Sequence, residues 1–501
     1  MLLVGTPETV RLLSNQMSLL PGAPIVGGCV LLEESNHRTI GAMPVLGFVR
    51  DLTLVARAAH ASQGVTKAFI TLPAARRAAE EGLVRAVRAA GLHPRVLVPL
   101  DEQITGAGST VRPTSDAALD FSTLIGRTPY GIDRRAVSKF IAGRRVLVTG
   151  AGGSIGREIC RIVSTFEPAQ LILMERAENA LFEVDQWLGR RTPGVVRKAV
   201  LHDVVDAEAT LRHCVSLKPE VVFHAAAHKH VPLMEDHPAH AVLNNLFGTK
   251  SIADAAMAVG CTRFVMISSD KAVNPTSVMG ATKRLAELYV QSLDRQARAQ
   301  GSPSRFCMVR FGNVLGSACS VLPIWTGQMA EGGPITVTDA RMTRYFMTIQ
   351  EAASLVIQSG AIEPDAGLPG LGAKNATVYV LDMGEPVRIL DLAQRFVRAH
   401  GYEPRLVEKG HQPLPTPGDG AMMDVVLTGA RPGEKLHEEL AYAAEQLRPT
   451  PFAGINAWAA DQGRDFDAAT VISDMTMAKQ SHDKERVLEL IRKHVPEMRG
   501  L

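Results

Sequence analysis

The sequence predicts an α/β protein made of two units, each a parallel sheet covered by helices. Short apolar, β-branched runs alternate with helix-patterned stretches as far as about residue 445, which is typical of parallel sheets. A chain of 501 residues is too long for one core, and about 150 residues per domain would give two or three domains. We expect an N-terminal α/β domain over 1–105, a linker over 106–143, a main domain over 144–445 and a C-terminal helical tail over 446–501.

The composition favours a soluble protein and gives no support to nucleic-acid binding. Hydrophobic residues make up 46% of the chain and charged residues 21%, which is ordinary for an α/β protein. The net charge of +3 is small for this length, so no electrostatic attraction to nucleic acid is indicated. No apolar run reaches the roughly 20 residues of a membrane span, and the first residues lack the charged start of a signal peptide. Six scattered cysteines without a C-x-x-C pair indicate buried thiols and a cytoplasmic protein.

The N-terminal domain shows the alternation without a complete nucleotide fingerprint. We predict strands at 2–4, 30–32, 67–72 and 95–99, and helices at 10–20 and 74–91. The first strand ends in Gly5-Thr6-Pro7, which lacks the repeated glycines of a dinucleotide turn. A scaffold without a ligand of its own is the favoured interpretation, and a vestigial or regulatory nucleotide site is the alternative.

A glycine-rich turn opens the main domain. The predicted strand 145–149 runs into Gly150, Gly153 and Gly156, and helical spacing follows over 157–163. Backbone amides at such a helix start can receive a pyrophosphate, and the missing Cβ atoms let it approach. Ser154 and Ile155 lie in the same turn and are expected to contact the cofactor. Because Gly152 is also present, the G-x-x-G-x-x-G and G-x-G-x-x-G spacings are not separable here.

The end of the next strand bears on which dinucleotide binds. The run 170–174 ends at Glu175, a carboxylate placed to accept hydrogen bonds from the adenosine ribose, which favours NAD. Arg176 follows directly and could instead hold a 2′-phosphate. We therefore predict NAD, with NADP as the less favoured alternative.

The segment around Asp270 and Lys271 points to acid–base chemistry. It follows an apolar run at 264–267, which predicts a buried strand, and precedes a predicted helix over 281–293. Met279 and Lys283 lie one helical turn apart and face the same side. A thioether neither donates nor accepts a proton in catalysis, so such work would fall to Asp270 and Lys271. The plainer alternative for this pair is a solvated salt bridge at a strand end.

Seven motifs in order resemble a known family. They are VLVTGAGGSIGREI (146–159), HAAAHKHVPLMEDHP (224–238), SSDKAVNPTSVMGATKRLAE (268–287), VRFGNVLGS (309–317), MTRYFMTIQEA (342–352), LDMGEPVRILDLA (381–393) and TGARPGEKLHEEL (428–440). Together they resemble the bacterial polysaccharide-biosynthesis 4,6-dehydratases of UDP-N-acetylglucosamine, the capsule and O-antigen type. That family belongs to the short-chain dehydrogenase/reductase superfamily, in which a tyrosine commonly stands at the position of Met279. The chain departs from the family's large members, which begin with membrane helices.

The resemblance implies a fold, a cofactor and roles for particular residues. It implies an extended Rossmann main domain, a nucleotide-fold N-terminal domain, and hydride transfer through NAD from sugar C4 and back to C6 around a water elimination. Asp270 would be the general acid and Lys271 the general base, while Ser269, where the family usually has threonine, would bind the C4 hydroxyl. Lys283 would hold the nicotinamide ribose. Further cofactor contacts are expected from Asp203, Val204, Ala225 and Ala226.

Five residues are expected to contact the UDP-sugar. Lys229 and Asn245 suit the phosphate side, and Asn313 suits the diphosphate or the sugar. Arg344 and Arg431 could bind the diphosphate bidentately, although each alone is more often a surface arginine. Ala318-Cys319 departs from the family's pattern in this loop. Two methionines of the neighbouring motif, Met342 and Met347, are expected in the core.

The sequence also leaves alternatives to this function. Histidines at 224, 228, 230, 237 and 240 have spacings that could suit zinc, but no further ligand group accompanies them, and we predict no metal site. A UDP-sugar 4-epimerase or a dehydratase that inverts C5 is the enzyme alternative; epimerases normally keep the missing tyrosine. A non-catalytic NAD-binding assembly subunit is the alternative from another class, but it should have lost Asp270, Lys271 or Lys283. We also expect a homo-oligomer.

Overall fold

The computed structural model divides the chain into two compact units, residues 1–118 and 119–501. It describes residues 1–18, 26–35, 37–41, 43–72, 80–96, 128–363, 377–407, 422–442, 447–459, 466–481 and 483–499. The structural statements below concern these residues.

The first unit is a six-stranded sheet with three described helices. Its strands are β1 (Leu2–Gly5), β2 (Gly28–Leu31), β3 (Thr39–Ile40), β4 (Met43–Phe48), β5 (Lys67–Thr71) and β6 (His93–Val96), in the order β3-β4-β2-β1-β5-β6. Its helices are α1 (Pro7–Ser18), α2 (Leu52–Gln63) and α3 (Glu80–Ala89). The four predicted strands are present, the fourth as far as Val96, because 97–99 lie outside the described residues. Sequence analysis missed β4, whose Pro44 and Gly47 are unusual in strands, and the helix α2 after it.

The second unit is built on a nine-stranded sheet in the order β21-β22-β17-β12-β11-β10-β7-β8-β9. These strands are β7 (Arg145–Thr149), β8 (Gln170–Glu175), β9 (Arg197–Leu201), β10 (Val221–His224), β11 (Arg263–Ile267), β12 (Arg305–Arg310), β17 (Thr377–Leu381), β21 (Arg448–Pro449) and β22 (Ile455–Ala459). From β9 to β17 all neighbours are parallel, and β22 runs antiparallel to β17. The six strands from β7 to β12 have the doubly wound Rossmann order, which confirms the predicted fold class.

Helices cover both faces of this sheet. The helices of the second unit are α4 (Arg134–Ile141), α5 (Ser154–Val163), α6 (Glu178–Arg191), α7 (Ala207–Leu217), α8 (Val231–Asp236), α9 (Pro238–Ala241), α10 (Gly248–Ala258), α11 (Val278–Ala299), α12 (Val321–Ala330), α13 (Ile349–Ala361), α14 (Ile389–Ala399), α15 (Ala468–Gln480) and α16 (Lys484–His494). Of these, α12 and α14 pack in a separate core with smaller sheets of the same unit. A π-helical turn at Val242–Phe247 joins α9 to α10.

Three small sheets complete the second unit. Their strands are β13 (Asn313–Leu315), β14 (Ile335–Val337), β15 (Thr343–Arg344), β16 (Phe346–Thr348), β18 (Val387–Arg388), β19 (Glu403–Val407) and β20 (Met422–Leu427), paired as β13-β16, β14-β20-β19 and β15-β18.

The strand sequences explain why the sheet is covered on both sides. In β7, Val146 and Val148 pack into the core on one face, while Leu147 packs into the core on the other. Side chains alternate along a strand, so a continuous apolar run buries both faces. Met347 is buried in one of these two cores and Met342 in a third core of the second unit, as expected.

Two segments differ from the expected boundaries. Within the expected linker, helix α4 buries Val137 and Ile141 in the core of the second unit. The expected tail supplies β21 and β22 to the main sheet and two helices to its core, so residue 445 is not a domain boundary. The two strands were not predicted, because β22 joins the sheet by antiparallel pairing with the distant strand β17 and β21 pairs with β22, which the local sequence does not specify. The charged helix predicted at 484–494 is present with those bounds. Within the described ranges, no helix has the length and apolar character needed to cross a membrane.

Candidate active site

Two adjoining cavities lie at the carboxyl ends of the central strands. The larger measures about 520 Å³ and the smaller about 170 Å³, and Gly153, Ala225 and His228 line both. They open beside β7 and β10, where the strand order reverses, and doubly wound sheets bind ligands at this point. The sequence-predicted residues of the larger cavity wall are Gly153, Ser154, Ile155, Gly156, Ala225, Lys229, Ser269, Lys271, Met279, Lys283 and Asn313. Those of the smaller are Gly150, Gly153, Glu175, Arg176, Asp203, Val204, Ala225 and Ala226.

The glycine turn has the shape that a dinucleotide requires. Gly150 has φ +64°, and a Cβ there would lie 2.8 Å from the backbone nitrogen of Ala226. A Cβ at Gly156 would lie 2.0 Å from the carbonyl oxygen of Gly150, so helix α5 packs against the turn only without one. Gly153 is different, because its Cβ would meet only one protein atom, at 3.3 Å. Gly153 is also the N-cap of α5 and brings no side-chain cap to its first amides. These features fit a bound pyrophosphate.

Charged side chains surround the smaller cavity. Glu175 accepts hydrogen bonds from the backbone amides of Gly152, at 3.1 Å, and of Arg176, at 3.0 Å. The Arg176 guanidinium lies 3.5 Å from an Asp203 carboxylate oxygen and donates to Asn244 Oδ1 at 3.1 Å. The Glu175 carboxylate therefore fixes the glycine turn, and Arg176 is already paired. Asn244 was missed by sequence analysis; it lies on the π-helical turn, a feature frequent at functional sites.

Ser269, Asp270 and Lys271 form a hydrogen-bonded group at the end of β11. Ser269 Oγ donates to Asp270 Oδ1 at 2.8 Å, and Lys271 Nζ donates to the same oxygen at 3.0 Å. Asp270 is completely buried and lines neither cavity, whereas Ser269 and Lys271 line the larger one. Asp270 thus lies behind Ser269 and Lys271. It would exchange protons with a molecule in the cavity through these two side chains.

Lys271 has two further partners from distant segments. Its Nζ donates to Asn313 Oδ1 at 3.1 Å and lies 3.5 Å from Glu438 Oε1. Burial acts to lower the pKa of Lys271, but the carboxylates of Asp270 and Glu438 outweigh it, and the pKa is raised from its ordinary value. The ammonium form is therefore the resting state. Sequence analysis missed Glu438, although it lies in the last family motif.

Met279 and Lys283 line the cavity from helix α11. Ser277 caps this helix by accepting from the amide of Gly280 at 3.1 Å. A Cβ at Gly280 would lie 2.1 Å from the carbonyl oxygen of Lys271, so the glycine lets the helix start beside the segment that contains Lys271. Lys283 Nζ donates to the carbonyl oxygen of Ile267 at 2.6 Å. Burial lowers the pKa of Lys283 to about 8, with the Glu287 carboxylate opposing the change.

A buried ion cluster lies beneath the cavity. Glu287 receives two hydrogen bonds of 2.8 Å from Arg310 and one of 3.1 Å from Arg284. Ser268 Oγ also donates to it at 2.6 Å. Burial acts to raise the pKa of Glu287, but the two guanidinium groups prevail and lower it to about 2. The cluster ties the end of β11 to helix α11 and to β12.

The loop after β13 crosses the cavity. The amide of Ala318 donates to Ser154 Oγ at 3.0 Å, and Lys229 Nζ donates to the Ala318 carbonyl oxygen at 2.6 Å. This loop therefore contacts both the glycine turn and the Lys229 segment. All six cysteines are free thiols and five are buried, but Cys319 is exposed in this loop, which corrects the expectation of buried thiols throughout. Its φ of 55° turns the chain at this point.

Three predicted substrate contacts lie outside both cavities. Asn245 is buried and accepts from the amide of His228 at 2.8 Å, so it holds that loop in place. The Arg344 guanidinium is buried and lies 3.7 Å from Glu438. Arg431 is exposed and pairs with Glu434 at 3.0 Å. Sequence analysis located these residues in motifs but did not reveal that their side chains have protein partners.

Three of the five clustered histidines, His224, His228 and His240, have side-chain partners of their own. His224 is buried between the hydroxyls of Thr149, at 2.8 Å, and Thr249, at 3.0 Å. Burial lowers the pKa of His224 to about 3, so it is neutral. His228 and His240 stack with ring centroids 5.0 Å apart. Within the part of the chain that the structure describes, no three His, Cys, Asp or Glu side chains are grouped to hold a metal.

Comparison with known proteins identifies the family of this chain. Residues 146–459 match the model of a family described as polysaccharide biosynthesis protein. The chain belongs to this family. It is 43% identical over 423 residues to the probable polysaccharide biosynthesis protein EpsC of Bacillus subtilis. The aligned region covers 83% of this chain and 64% of EpsC. It is 31% identical over 221 residues to a UDP-N-acetylglucosamine 4,6-dehydratase (inverting) of Campylobacter jejuni, covering 43% of this chain and 63% of that protein.

The chain thus spans less than two thirds of the length of these two relatives. Among solved structures, Pen from Bacillus thuringiensis is 29% identical, with a TM-score of 0.53, covering 64% of this chain and 88% of that one.

Proposed function

We propose that this member of the polysaccharide biosynthesis protein family is an NAD-dependent 4,6-dehydratase of UDP-N-acetylglucosamine or a related UDP-N-acetylhexosamine. The observation that carries the proposal is the Asp270–Lys271 pair, joined at 3.0 Å, with Lys271 facing a cavity that also reaches the glycine turn. The Campylobacter relative, named as such a dehydratase, supports the same assignment.

Binding of NAD rather than NADP is supported by the charges at the smaller cavity. The Glu175 carboxylate there would repel a 2′-phosphate, and Arg176 is engaged by Asp203 at 3.5 Å. NAD, when bound, supplies a reversible hydride acceptor. Because Lys283 has a pKa of about 8, it would bring a positive charge to the cofactor ribose at neutral pH.

The proton work is assigned to the group at the end of β11. Transfer of one proton from Lys271 to Asp270 along their hydrogen bond would leave a neutral amine and a carboxylic acid. The amine would then remove the C5 proton as base. The acid would protonate the leaving C6 hydroxyl through Ser269, whose Oγ lies 2.8 Å from Asp270. Ser269 would also bind the C4 hydroxyl and pass the proton that this hydroxyl loses on oxidation to water. The proton that Lys271 takes from C5 would return to C5 when the hydride is back on C6, and water would restore the Lys271 ammonium.

Lys229 and Asn313 are the proposed substrate contacts that remain. Both line the larger cavity, Lys229 as a cation for the diphosphate and Asn313 beside Lys271 for the sugar. For Arg344 and Arg431, a role in diphosphate binding would require side-chain movement away from Glu438 and Glu434. The cytoplasmic location and the homo-oligomeric state stay predictions from the sequence.

A 4-epimerase is less well supported. Among the described residues that line the larger cavity, none is a tyrosine, and Met279 occupies the position one turn before Lys283. Both reactions must remove the C4 hydroxyl proton, but only the dehydratase also needs a base for the C5 proton and an acid for the C6 hydroxyl. The Asp270–Lys271 pair suits that second step, and epimerases normally keep the missing tyrosine.

The test is incubation of the purified chain with UDP-N-acetylglucosamine, followed by mass spectrometry. A product lighter by one water, without net formation of NADH, is expected, because the hydride returns within each turnover. Product of unchanged mass but altered C4 configuration would indicate an epimerase. NMR of the dehydrated sugar would identify inversion at C5. Protein that retains NAD but leaves the substrate unchanged would support the assembly subunit instead.

A further inference from the structure

Glu438 is a buried carboxylate whose position is not explained by folding alone. Its side chain is 3% exposed, and its Oε1 lies 3.5 Å from Lys271 Nζ and 3.7 Å from Arg344 Nε. Its Oε2 is buried and has no hydrogen-bond partner among the described residues. A buried charge with one unsatisfied oxygen is costly, and such groups concentrate at functional sites.

We propose that Glu438 is a positioning residue for Lys271, which fixes the ammonium group at the cavity wall and sets the charge state in which it meets the substrate. The proposal deepens the proposed function and rests on it. Glu438 touches neither cavity, so it acts through Lys271.

Glu438 is one of three groups that hold the Lys271 ammonium. The Lys271 ammonium group donates hydrogen bonds to Asp270 at 3.0 Å and Asn313 at 3.1 Å, and it forms an ion pair with Glu438 at 3.5 Å. Each comes from a different segment, so the amine is held from three directions. Of these, Glu438 is the charged group that belongs to neither the strand end nor the cavity wall.

The charges that face Lys271 are Asp270 from its own segment, Glu438 from the C-terminal motif and Arg344 from β15. The two carboxylates favour the ammonium form and Arg344 opposes it. Loss of the Glu438 charge removes one of the two groups that retain the proton. Lys271 should then release its proton at a lower pH.

The experiment compares Glu438→Gln, Glu438→Asp and the control Glu439→Gln across pH. Glu439 is the adjacent carboxylate, which pairs with Lys435 at 3.4 Å and not with Lys271. We expect Glu438→Gln to lower kcat for water elimination about tenfold, because the negative charge that pairs with the Lys271 ammonium at 3.5 Å is lost. KM should change little. In the plot of kcat against pH, the limb that reports deprotonation of Lys271 should move to lower pH. Glu438→Asp should keep that limb near its parental position, and the control should match the parent.

A second measurement separates this inference from the proposed function. Lys271 is reductively methylated with ¹³C-formaldehyde, assigned by its absence in Lys271→Arg, and titrated by NMR. Its titration should move to lower pH in Glu438→Gln and stay in place in Glu439→Gln, whether or not water is eliminated. An unmoved titration in folded Glu438→Gln, or in Glu438→Ala should the first variant not fold, would overturn the positioning role. Absence of dehydration by the parent would instead refute the proposed function alone.

Discussion

Lys271 and Lys283 line the same cavity, yet their surroundings act on them in opposite directions. Lys271 follows β11, where Asp270 and Glu438 overcome the effect of burial and raise its pKa. Lys283 lies on α11, where burial prevails and lowers its pKa to about 8. One amine is therefore held as a cation by paired carboxylates, while the other is poised to lose its charge slightly above neutrality.

The difference comes from how the nearby carboxylates are themselves paired. Glu287 lies one turn after Lys283, but its charge is already bound by Arg310 and Arg284. Little of its field is left to stabilise the Lys283 ammonium. Asp270, in contrast, accepts from Ser269 and Lys271 and has no arginine among its described hydrogen-bond partners. Whether the nearby carboxylate is already paired with arginine thus decides the direction in which the pKa of the lysine moves.

The comparison is tested most strongly by removing the paired lysine. Lys271→Ala should lower the rate of water elimination about 10²–10⁴-fold, because a positioned acid or base contributes that much. Bound NAD should remain, since Lys271 lies off the glycine turn. Elimination is measured by mass spectrometry and bound cofactor by absorbance after release.

Lys198→Ala is the control, since Lys198 is an exposed lysine on edge strand β9. The control should keep the parental rate. A Lys271→Ala variant with near-parental rate would show that the paired lysine is not the base.

Much of the lysine environment could be predicted from local sequence. The strand before Asp270, the glycine turn at Gly150 and the helix that carries Lys283 all follow from apolar period and glycine spacing. These features are local, so a single stretch of sequence contains them. The residues Met279 and Lys283 share a face because they are one turn apart.

The partners of these residues could not be predicted in this way. Glu438 reaches Lys271 from a segment far along the chain, and Arg344 turns inward to Glu438 rather than toward a ligand. Likewise, the strand at Ile455–Ala459 joins the main sheet through pairing with β17. Such contacts depend on tertiary packing, and motif spacing does not specify which side chains meet.

Replacement of Lys283 should lower the rate less than replacement of Lys271 does. It should leave the folded protein as stable as the parent or more stable at pH 7. Lys283→Met should weaken cofactor binding and lower activity, because the positive charge beside the ribose is lost. At pH 7 it should melt at or above the parental temperature, since the parent keeps a buried charge there. Thermal melting followed by circular dichroism, from pH 7 to pH 10.5, measures this.

The sign of the pH dependence follows from the lowered pKa. Between about pH 8 and the ordinary lysine pKa of 10.5, the unfolded chain binds a proton that the folded chain has lost. The melting temperature of the parent should therefore rise relative to that of Lys283→Met over this pH window, and the difference between the two should close. Lys283→Arg, which keeps the charge, should not show a stability gain at pH 7. A constant gap across the window would mean that Lys283 is not buried as a poised cation.

The smallest effect is expected at the methionine beside the two lysines. Met279 is 3% exposed and packs in the core under the cavity, so Met279→Tyr inserts a larger side chain that needs a hydrogen-bond partner. Lys283 one turn away would favour the ionised phenol, which would compete with Lys271 for the sugar's proton. We expect an unchanged or moderately reduced dehydration rate with cofactor retained, and Met279→Leu should match the parent. A clear rate gain in Met279→Tyr would mean that a phenol serves this site better than the carboxylate-paired Lys271, and the contrast between the two lysines would then not explain the chemistry.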